Sequence, residues 1–210
     1  ISKILHAIDL EKVPPDKILA VTFSKRATQE MEERLDAARP GLSEKMKVCT
    51  LHALCHEIVS HHGFRVGLER SAHMLSESEA RLVFRRTAMQ LPPPPFIKTG
   101  NWEAAFGDLY DLFQEAKDEG LWPENILQFA HRLPTSTVDE IKIRDEWLAI
   151  GDLFNAFQTT CFKKGFIDFG DAILSAIRIL EDHPIVREEL HKQFDLILVD
   201  EFQDTNYSQV

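Results

Sequence analysis

The sequence predicts an α/β protein, with an open sheet of parallel strands, covering helices and an inserted all-helical segment. Two nearly continuous apolar runs, at residues 18–23 and 194–199, are typical of strands buried on both faces of such a sheet. A weaker run at 47–50 is a third candidate strand, and helical periodicity flanks it and the first run. From about residue 72 to residue 192 the pattern is only helical.

Helices are predicted on both sides of the first strand and after the second. Apolar residues recur at helical spacing in three stretches. These residues are Ile1, Ile4, Leu5 and Ile8; Ala27, Met31, Leu35 and Ala38; and Leu51, Leu54, Cys55, Ile58 and Val59. A strand followed by a helix and then another strand is the pattern of an open α/β sheet, so residues 1–71 and 193–210 are assigned to one sheet domain.

Residues 72–192 are assigned to the helical insertion. Ser76 and Glu79 form a predicted capping box, which opens a helix that ends at the prolines of 92–95. Further helices are predicted near 103–119 with Gly120 as a stop, after Pro123, near 139–163, and at 184–193. Asp168 is the expected cap of the helix that follows it.

Composition indicates a globular protein without a membrane span. Hydrophobic residues make up 44% and charged residues 28%, and no apolar run approaches the roughly 20 residues that cross a bilayer. The first residues lack the core of a signal peptide, so we expect an intracellular, cytoplasmic protein. Three cysteines argue against a disulfide framework. The net charge of −10 excludes a broad basic surface, although local positive grooves are compatible with it.

The predicted strand at 194–199 is followed directly by two carboxylates, Asp200 and Glu201. Ligands of open α/β sheets bind at the carboxyl ends of the strands. An aspartate there can hold the Mg²⁺ that bridges nucleotide phosphates, and a neighbouring glutamate can deprotonate an attacking water. A solvated acidic turn is the alternative, and the bare apolar-Asp-Glu pattern alone favours that alternative.

The complete string VDEFQDTN, residues 199–206, is more specific. It resembles motif II of the UvrD/Rep family of superfamily 1 helicases, which closes a strand of a RecA-like (P-loop NTPase) domain. The resemblance implies ATP and Mg²⁺ as ligands, with Asp200 on the metal and Glu201 as catalytic base. It also implies that Gln203 couples the nucleotide state to neighbouring motifs and that Asp204 supports that network.

Residues 18–35 resemble the family's motif Ia, usually close to TFTNKAAREM. Thr22 and Phe23 match, Lys25 and Arg26 replace the usual Asn-Lys pair, and Thr28 replaces an alanine. By resemblance, Thr22, Phe23, Lys25 and Arg26 contact single-stranded DNA. A helix start with cations suits a phosphate, and an aromatic ring can stack on a base without reading its identity. The alternative for Phe23 is a core residue at the end of a strand.

Residues 48–59 resemble the next motif, usually close to TFHSFC. Thr50, His52 and Cys55 match, whereas Leu51 replaces the usual phenylalanine and Ala53 a serine. The resemblance implies that Thr50 and His52 contact the DNA strand. Residues 167–174 resemble the family's DFDDLL segment, which joins the helical 1B subdomain to the sheet domain, and there Asp168 is interpreted first as a helix cap.

A zinc site is the competing interpretation of Cys49, His52, Cys55 and His56, which are ligand types within eight residues. Zinc needs four such ligands that converge tetrahedrally. Cys49 is expected to point into the sheet, whereas the histidines share a helical face, so the four side chains are not expected to converge.

No G-x-x-x-x-G-K-[ST] phosphate loop occurs in the sequence. In the family that loop precedes motif Ia, so we expect it before Ile1, and we expect a second RecA-like domain elsewhere. The resemblance therefore implies a fragment, inactive alone, of an ATP-dependent DNA helicase acting in DNA repair on single-stranded DNA and duplex junctions. A non-hydrolysing DNA-binding or protein-interaction module remains an alternative. A CheY-like or flavodoxin-like domain does not explain the long helical insertion.

Overall fold

A parallel three-stranded sheet forms the base of the molecule. The computed structural model describes residues 1–68, 72–92, 94, 96–97 and 102–209. Strands β1 (Ile18–Thr22), β2 (Lys47–Thr50) and β5 (Leu196–Val199) lie in the order β2-β1-β5, and both neighbouring pairs are parallel. The mixed α/β fold class predicted from sequence is confirmed, and it is consistent with part of a RecA-like domain.

Nine α-helices lie within the described residues. They are α1 (Ser2–Asp9), α2 (Lys25–Ala38), α3 (Leu51–His62), α4 (Glu77–Ala88), α5 (Trp102–Asp118), α6 (Pro123–Arg132), α7 (Val138–Lys163), α8 (Phe169–Asp182) and α9 (Pro184–Gln193). Two further strands, β3 (His73–Met74) and β4 (Phe166–Ile167), form a short parallel pair that the sequence did not predict. Two-residue strands are too short to carry a periodic signal.

The central strand β1 is buried on both faces, as its continuous apolar run predicts. Ile18 and Ala20 pack against α1 and α2, whereas Leu19 and Val21 face the side on which α3 lies. Alternate residues of a strand point to opposite faces, so one five-residue strand contributes to two separate cores.

Strand β5 is different, and the expectation that it is buried on both faces is wrong. Leu196 and Leu198 pack toward the core that β1 shares with α1, but Ile197 is 58% exposed and Val199 is 44% exposed. β5 is one of the two edge strands of the described sheet. Helix α3 follows β2 at the opposite edge, so among the described residues the Ile197 face of β5 remains largely uncovered.

The helical part has its own core. Phe113 and Phe154 stack with centroids 4.5 Å apart, and Phe84 meets Phe113 and Phe157 edge-on. These fully buried rings join α4, α5 and α7. A separate apolar cluster joins α3, α8 and α9, so α8 packs directly on a helix that follows a strand of the sheet.

The predicted helix ends agree with the structure in most places. Ser76 accepts the N–H of Glu79 while Glu79 accepts the N–H of Ser76, which completes the predicted capping box. Gly120 has φ +75°, a left-handed conformation that suits glycine after a helix. Helix α4 ends at Ala88, before the proline run, of which Pro93 and Pro95 lie outside the described residues.

None of the described helices is both long enough and apolar enough to cross a membrane.

Candidate functional site

The carboxyl ends of the three parallel strands lie along one edge of the sheet. β1 ends at Thr22, β2 at Thr50 and β5 at Val199, and the register pairs Thr22 with Thr50 and Val21 with Val199. The N–H of Asp200 donates to the carbonyl of Val21 at 2.9 Å, which holds Asp200 beside the end of β1. The strand ends of the three motif segments therefore meet at the edge where ligands of such sheets bind.

Glu201 has an unusual backbone conformation, with φ 51° and ψ 43°. Non-glycine residues seldom occupy this left-handed region, and residues that do so are enriched at functional sites. The turn directs the chain away from β5 into a short 3₁₀ segment, Phe202–Asp204. The side-chain amide of Gln203 donates a hydrogen bond to the Glu201 carboxylate, so two predicted site residues are in direct contact.

The Asp200 carboxylate fits the position of a single protein ligand to Mg²⁺. Its side chain is exposed, and it forms no hydrogen bond or ion pair with the described residues. The described part of the chain contains no group of three or more His, Cys, Asp or Glu side chains arranged to hold a metal ion. Mg²⁺ in nucleotide sites takes one or two carboxylates together with phosphate oxygens and water, so one exposed aspartate is a chemically suitable ligand.

The four zinc-ligand types of residues 49–56 do not come together. Cys55 is buried in the cluster between α3 and α8, and burial raises its pKa to about 12. Cys49 lies on β2 and packs toward Leu19 and Val21, while His52 is in the first turn of α3. The structure thus gives these residues separate packing roles.

The turn after β1 exposes one aromatic side chain and two cations. Phe23 is 53% exposed, so its interpretation as a core residue is wrong. Lys25 and Arg26 are also exposed in the first turn of α2, and Arg26 forms an ion pair with Glu30 at 2.9 Å. Ser24 caps α2 by accepting the N–H of Ala27.

Thr22 lies inside this turn, not on its surface. It is 1% exposed, and its hydroxyl bonds to the Thr28 hydroxyl at 2.7 Å and to the Ser24 carbonyl at 3.2 Å. The departure from the family pattern at Thr28 therefore has a structural consequence, since an alanine there has no hydroxyl for Thr22. Thr22 fixes the turn that presents Phe23.

His52 and Thr50 lie at the start of α3. Thr50 caps the helix by accepting the N–H of Ala53 at 3.1 Å. The half-buried ring of His52 meets Phe169 edge-on, with centroids 5.4 Å apart. Burial lowers the pKa of His52, and the negative charge of Asp118 opposes that shift. The imidazole is therefore predominantly neutral at neutral pH.

A cavity of about 140 Å³ brings residues of all three motif segments together. Thr22, Phe23, His52 and Asp200 line it, and Ile197 and Val199 contribute its apolar wall from the uncovered face of β5. Lys25, Arg26, Thr50, Glu201 and Gln203 do not line it. The predicted DNA and nucleotide residues are therefore neighbours along one edge, but only four of them share this cavity.

Sequence reasoning missed four residues at this edge. Phe169 and Phe202 are exposed aromatic residues, and Asp118 and Asn206 are polar residues joined by a side-chain hydrogen bond. Both phenylalanines lie inside quoted motif segments and each directly follows an acidic residue, which was an available signal. Asp118 had no such signal, because only the fold brings α5 beside this edge.

The chain matches the family model of the UvrD/REP helicase N-terminal domain over residues 1–210. It therefore belongs to the UvrD/Rep helicase family. It is 29% identical over 215 residues to DNA helicase II of Haemophilus influenzae and 28% identical over 214 residues to DNA helicase II of Escherichia coli. It is 26% identical over 209 residues to the ATP-dependent DNA helicase PcrA of Bacillus subtilis.

These matches cover 99–100% of the chain but only 26% of each relative's length. The chain thus spans about a quarter of the curated helicases that it resembles.

Proposed function

We propose that this chain forms part of an ATP-dependent DNA helicase, contributing hydrolytic side chains and a section of a single-stranded DNA track. The observation that carries the proposal is the common edge of the sheet, where Asp200 shares a cavity with Phe23 and His52, and Glu201 follows Asp200 in the chain. Membership of a family whose relatives are named DNA helicases supports the same activity.

In this proposal Asp200 and Glu201 act on ATP. Asp200 holds Mg²⁺, which neutralises charge on the phosphate oxygens when bound. Glu201 accepts a proton from water as the water oxygen bonds to the γ-phosphorus and the bond from that phosphorus to the ADP oxygen breaks. Gln203 holds the Glu201 carboxylate through its side-chain hydrogen bond. The position of that carboxylate therefore depends on the turn that brings residues 201 and 203 together.

The DNA contacts follow from the exposed groups at the ends of β1 and β2. Phe23 stacks on a base, and Lys25 and Arg26 at the start of α2 contact phosphates. Thr50 and His52 approach the same strand from α3, and the track ends at a duplex junction. These contacts are few and local, which is compatible with a net charge of −10.

This chain alone is not expected to hydrolyse ATP. The sequence has no G-x-x-x-x-G-K-[ST] segment, and such a loop supplies backbone N–H groups and a lysine to the phosphates. A second RecA-like domain is also proposed to close over the nucleotide. We place the whole helicase in the cytoplasm and in DNA repair, on the family resemblance alone.

Binding of fluorescein-labelled oligothymidylate to the full-length helicase, followed by fluorescence anisotropy, tests the DNA track. Stacking on an aromatic ring contributes about 1–3 kcal/mol per base, so Phe23→Ala is expected to weaken binding by roughly 5- to 150-fold. Phe129→Ala is the matched control, because Phe129 on α6 is similarly exposed at 49%. Equal affinity of the Phe23→Ala variant and the wild type would refute the stacking role.

A DNA-binding or protein-interaction module without hydrolysis is the second candidate, and a full-length protein without a phosphate loop before Ile1 would favour it. In its DNA-binding form it predicts the same loss of affinity for Phe23→Ala. It differs in predicting no ATP hydrolysis in any form of the protein, whereas the helicase proposal predicts hydrolysis stimulated by single-stranded DNA.

A further inference from the structure

Three helices meet at a buried ion cluster, which consists of Lys117 on α5 and of Asp168 and Asp171 at the start of α8. The Lys117 Nζ lies 2.6 Å from Asp168 Oδ2 and 2.8 Å from Asp171 Oδ1. The side-chain amide of Gln114 donates to Asp168, and that of Gln158 on α7 donates to Asp171. Buried charges require such partners, so the ion cluster holds α5, α7 and α8 together.

Lys117 has no surface with which to contact DNA. Its side chain is completely buried, which is rare for lysine unless the charge is paired. The rings of Phe154 and Phe157 on α7 lie 5.9 Å and 5.4 Å from its Nζ, so α7 encloses the lysine together with the two carboxylates. Any influence of Lys117 on a bound ligand must therefore pass through the residues that it holds in place.

The same carboxylates shape the start of α8. Asp168 accepts the N–H of Asp171 at 2.8 Å, and Asp171 accepts the N–H of Asp168 at 3.2 Å, in a reciprocal cap. Gly170 leaves room for the lysine, because a Cβ there would lie 2.7 Å from Lys117 Cδ. Phe169 lies between Asp168 and Gly170 in the chain, so contacts with Lys117 fix both of its neighbours.

Phe169 connects the ion cluster to α3. Half of its surface is exposed, and its ring meets the His52 imidazole edge-on with centroids 5.4 Å apart. Helices α3 and α8 also share an apolar cluster, which keeps the two rings within reach of each other. The path from Lys117 to His52 therefore consists of the ion pair to Asp168, the peptide bond from Asp168 to Phe169, and the contact between the rings.

We propose that Lys117 is a positioning residue, whose ion pairs with Asp168 and Asp171 hold the start of α8 so that the Phe169 ring fixes the orientation of His52. The inference rests on the proposed function, in which His52 contacts single-stranded DNA. It deepens that function, because it makes the packing of three helices in the helical segment a determinant of a DNA contact on the sheet side. A change in that packing displaces Phe169 and reorients the imidazole.

NMR of the carbon-bound ring protons of His52 in the 210-residue chain tests the positioning without any catalytic activity. A neighbouring aromatic ring shifts such resonances through its ring current, so Phe169→Leu is expected to move them. Asp168→Asn keeps an oxygen that accepts the Asp171 N–H but removes the charge that pairs with the lysine. It is expected to move the His52 resonances toward their positions in Phe169→Leu. Unchanged His52 resonances in either variant overturn the proposal.

Two further variants separate positioning from a general loss of stability. Gly170→Ala presses a methyl group against the Lys117 side chain and is expected to move the His52 resonances in the same direction as Asp168→Asn. Ile126→Ala is the matched control, because it also removes buried apolar atoms and lowers stability, but α6 contributes no residue to the ion cluster. It is expected to leave the His52 resonances in place. Equal shifts in Ile126→Ala and Asp168→Asn overturn the proposal.

A double-mutant cycle in the full-length helicase, with fluorescein-labelled oligothymidylate as the probe, tests the consequence for DNA binding. Asp168→Asn is expected to weaken binding by roughly 2- to 10-fold, the factor that corresponds to one edge-to-face ring contact. In a Phe169→Leu background, Asp168→Asn is expected to have no further effect, because the ring that transmits it is already absent. Fully additive effects of the two changes overturn the proposed path through Phe169.

The two experiments distinguish a failure of this inference from a failure of the proposed function. If His52→Ala leaves DNA affinity unchanged, the proposed DNA contact is wrong, yet the NMR resonances still decide whether the ion cluster positions His52. If His52→Ala weakens DNA binding while Asp168→Asn changes neither the resonances nor the affinity, the proposed function stands and the inference fails.

Discussion

The ring of Phe169 meets the imidazole of His52 edge-on, with ring planes at 87°. This contact joins the first turn of α8 to the first turn of α3, which are far apart in sequence. Edge-to-face pairs contribute about 0.5–1.5 kcal/mol beyond the area they bury, so the pair helps to set the orientation of His52. A residue from the helical segment thereby supports a predicted DNA contact on the sheet side.

Lys117→Met is expected to destabilise the protein strongly. Lys117 forms ion pairs with Asp168 and Asp171, and all three side chains are almost fully buried. The change therefore leaves two buried carboxylates without their cation. Breaking a buried pair in this way costs about 3–5 kcal/mol. The free energy of unfolding in urea measures it. Lys142→Met on α7 is the control, because its exposed pair with Glu146 at 4.0 Å contributes at most about 0.5 kcal/mol.

Gly170→Ala and Gly107→Ala are expected to change stability in opposite directions. At Gly170 the new methyl group would overlap Lys117, at a cost of about 1–3 kcal/mol. At Gly107, inside α5, a Cβ meets nothing within 4 Å, so alanine is expected to stabilise the helix by about 0.5–1 kcal/mol. Thermal unfolding of both variants checks the sign, and a stabilising Gly170→Ala would contradict the observed packing.

The sequence predicts the helices and strands of the fold more completely than it predicts the site. Continuous apolar runs identified β1 and β5, and capping residues such as Ser76 and Asp168 located helix starts, because these signals are local. The exposed face of β5 could not be predicted, since a buried strand and an edge strand can share the same apolar run. Which face is covered depends on where α3 packs, and that is a tertiary property.

The individual site residues were predicted from motif strings, but the contacts between side chains on different elements were not. Asp168 was interpreted as a helix cap, which is correct, yet its pairing with Lys117 requires two helices to pack. Asp118 carries no motif, and only the packing of α5 brings it beside Asn206.

Stability should depend on pH through Asp171. Its burial raises its pKa from an ordinary 3.8 to about 6, with Asp168 adding to the rise and Lys117 opposing it. Between these values the folded state holds a proton that the unfolded state has released, so this group's contribution to stability falls as pH rises. Above pH 6 its contribution is constant.

Comparison with Asp171→Asn isolates that contribution. The wild type is expected to lose stability relative to the variant as pH rises from about 4 to 6, and the two curves should then run parallel. Urea unfolding at intervals of pH measures the difference, with Asp108→Asn as the exposed control. Parallel curves across the whole range would contradict the raised pKa of Asp171.

The three cysteines should differ in reactivity. All are free thiols, but Cys55 and Cys161 are buried and burial raises the pKa of each to about 12, whereas Cys49 is only partly buried. Because the thiolate is the reactive species, maleimide is expected to label Cys49 first in the native chain. Peptide mass spectrometry identifies the site, and labelling of Cys161 ahead of Cys49 would contradict the packing of α7.

Hydrolysis of ATP by the full-length helicase carrying Glu201→Gln tests the central claim most directly. Loss of a general base typically lowers the rate by about 10²- to 10⁴-fold, so DNA-stimulated hydrolysis should fall by that amount while nucleotide binding is retained. Glu181→Gln, an exposed change near the end of α8, is the control. Hydrolysis at the wild-type rate in Glu201→Gln would contradict the assignment of this edge of the sheet as the hydrolytic site.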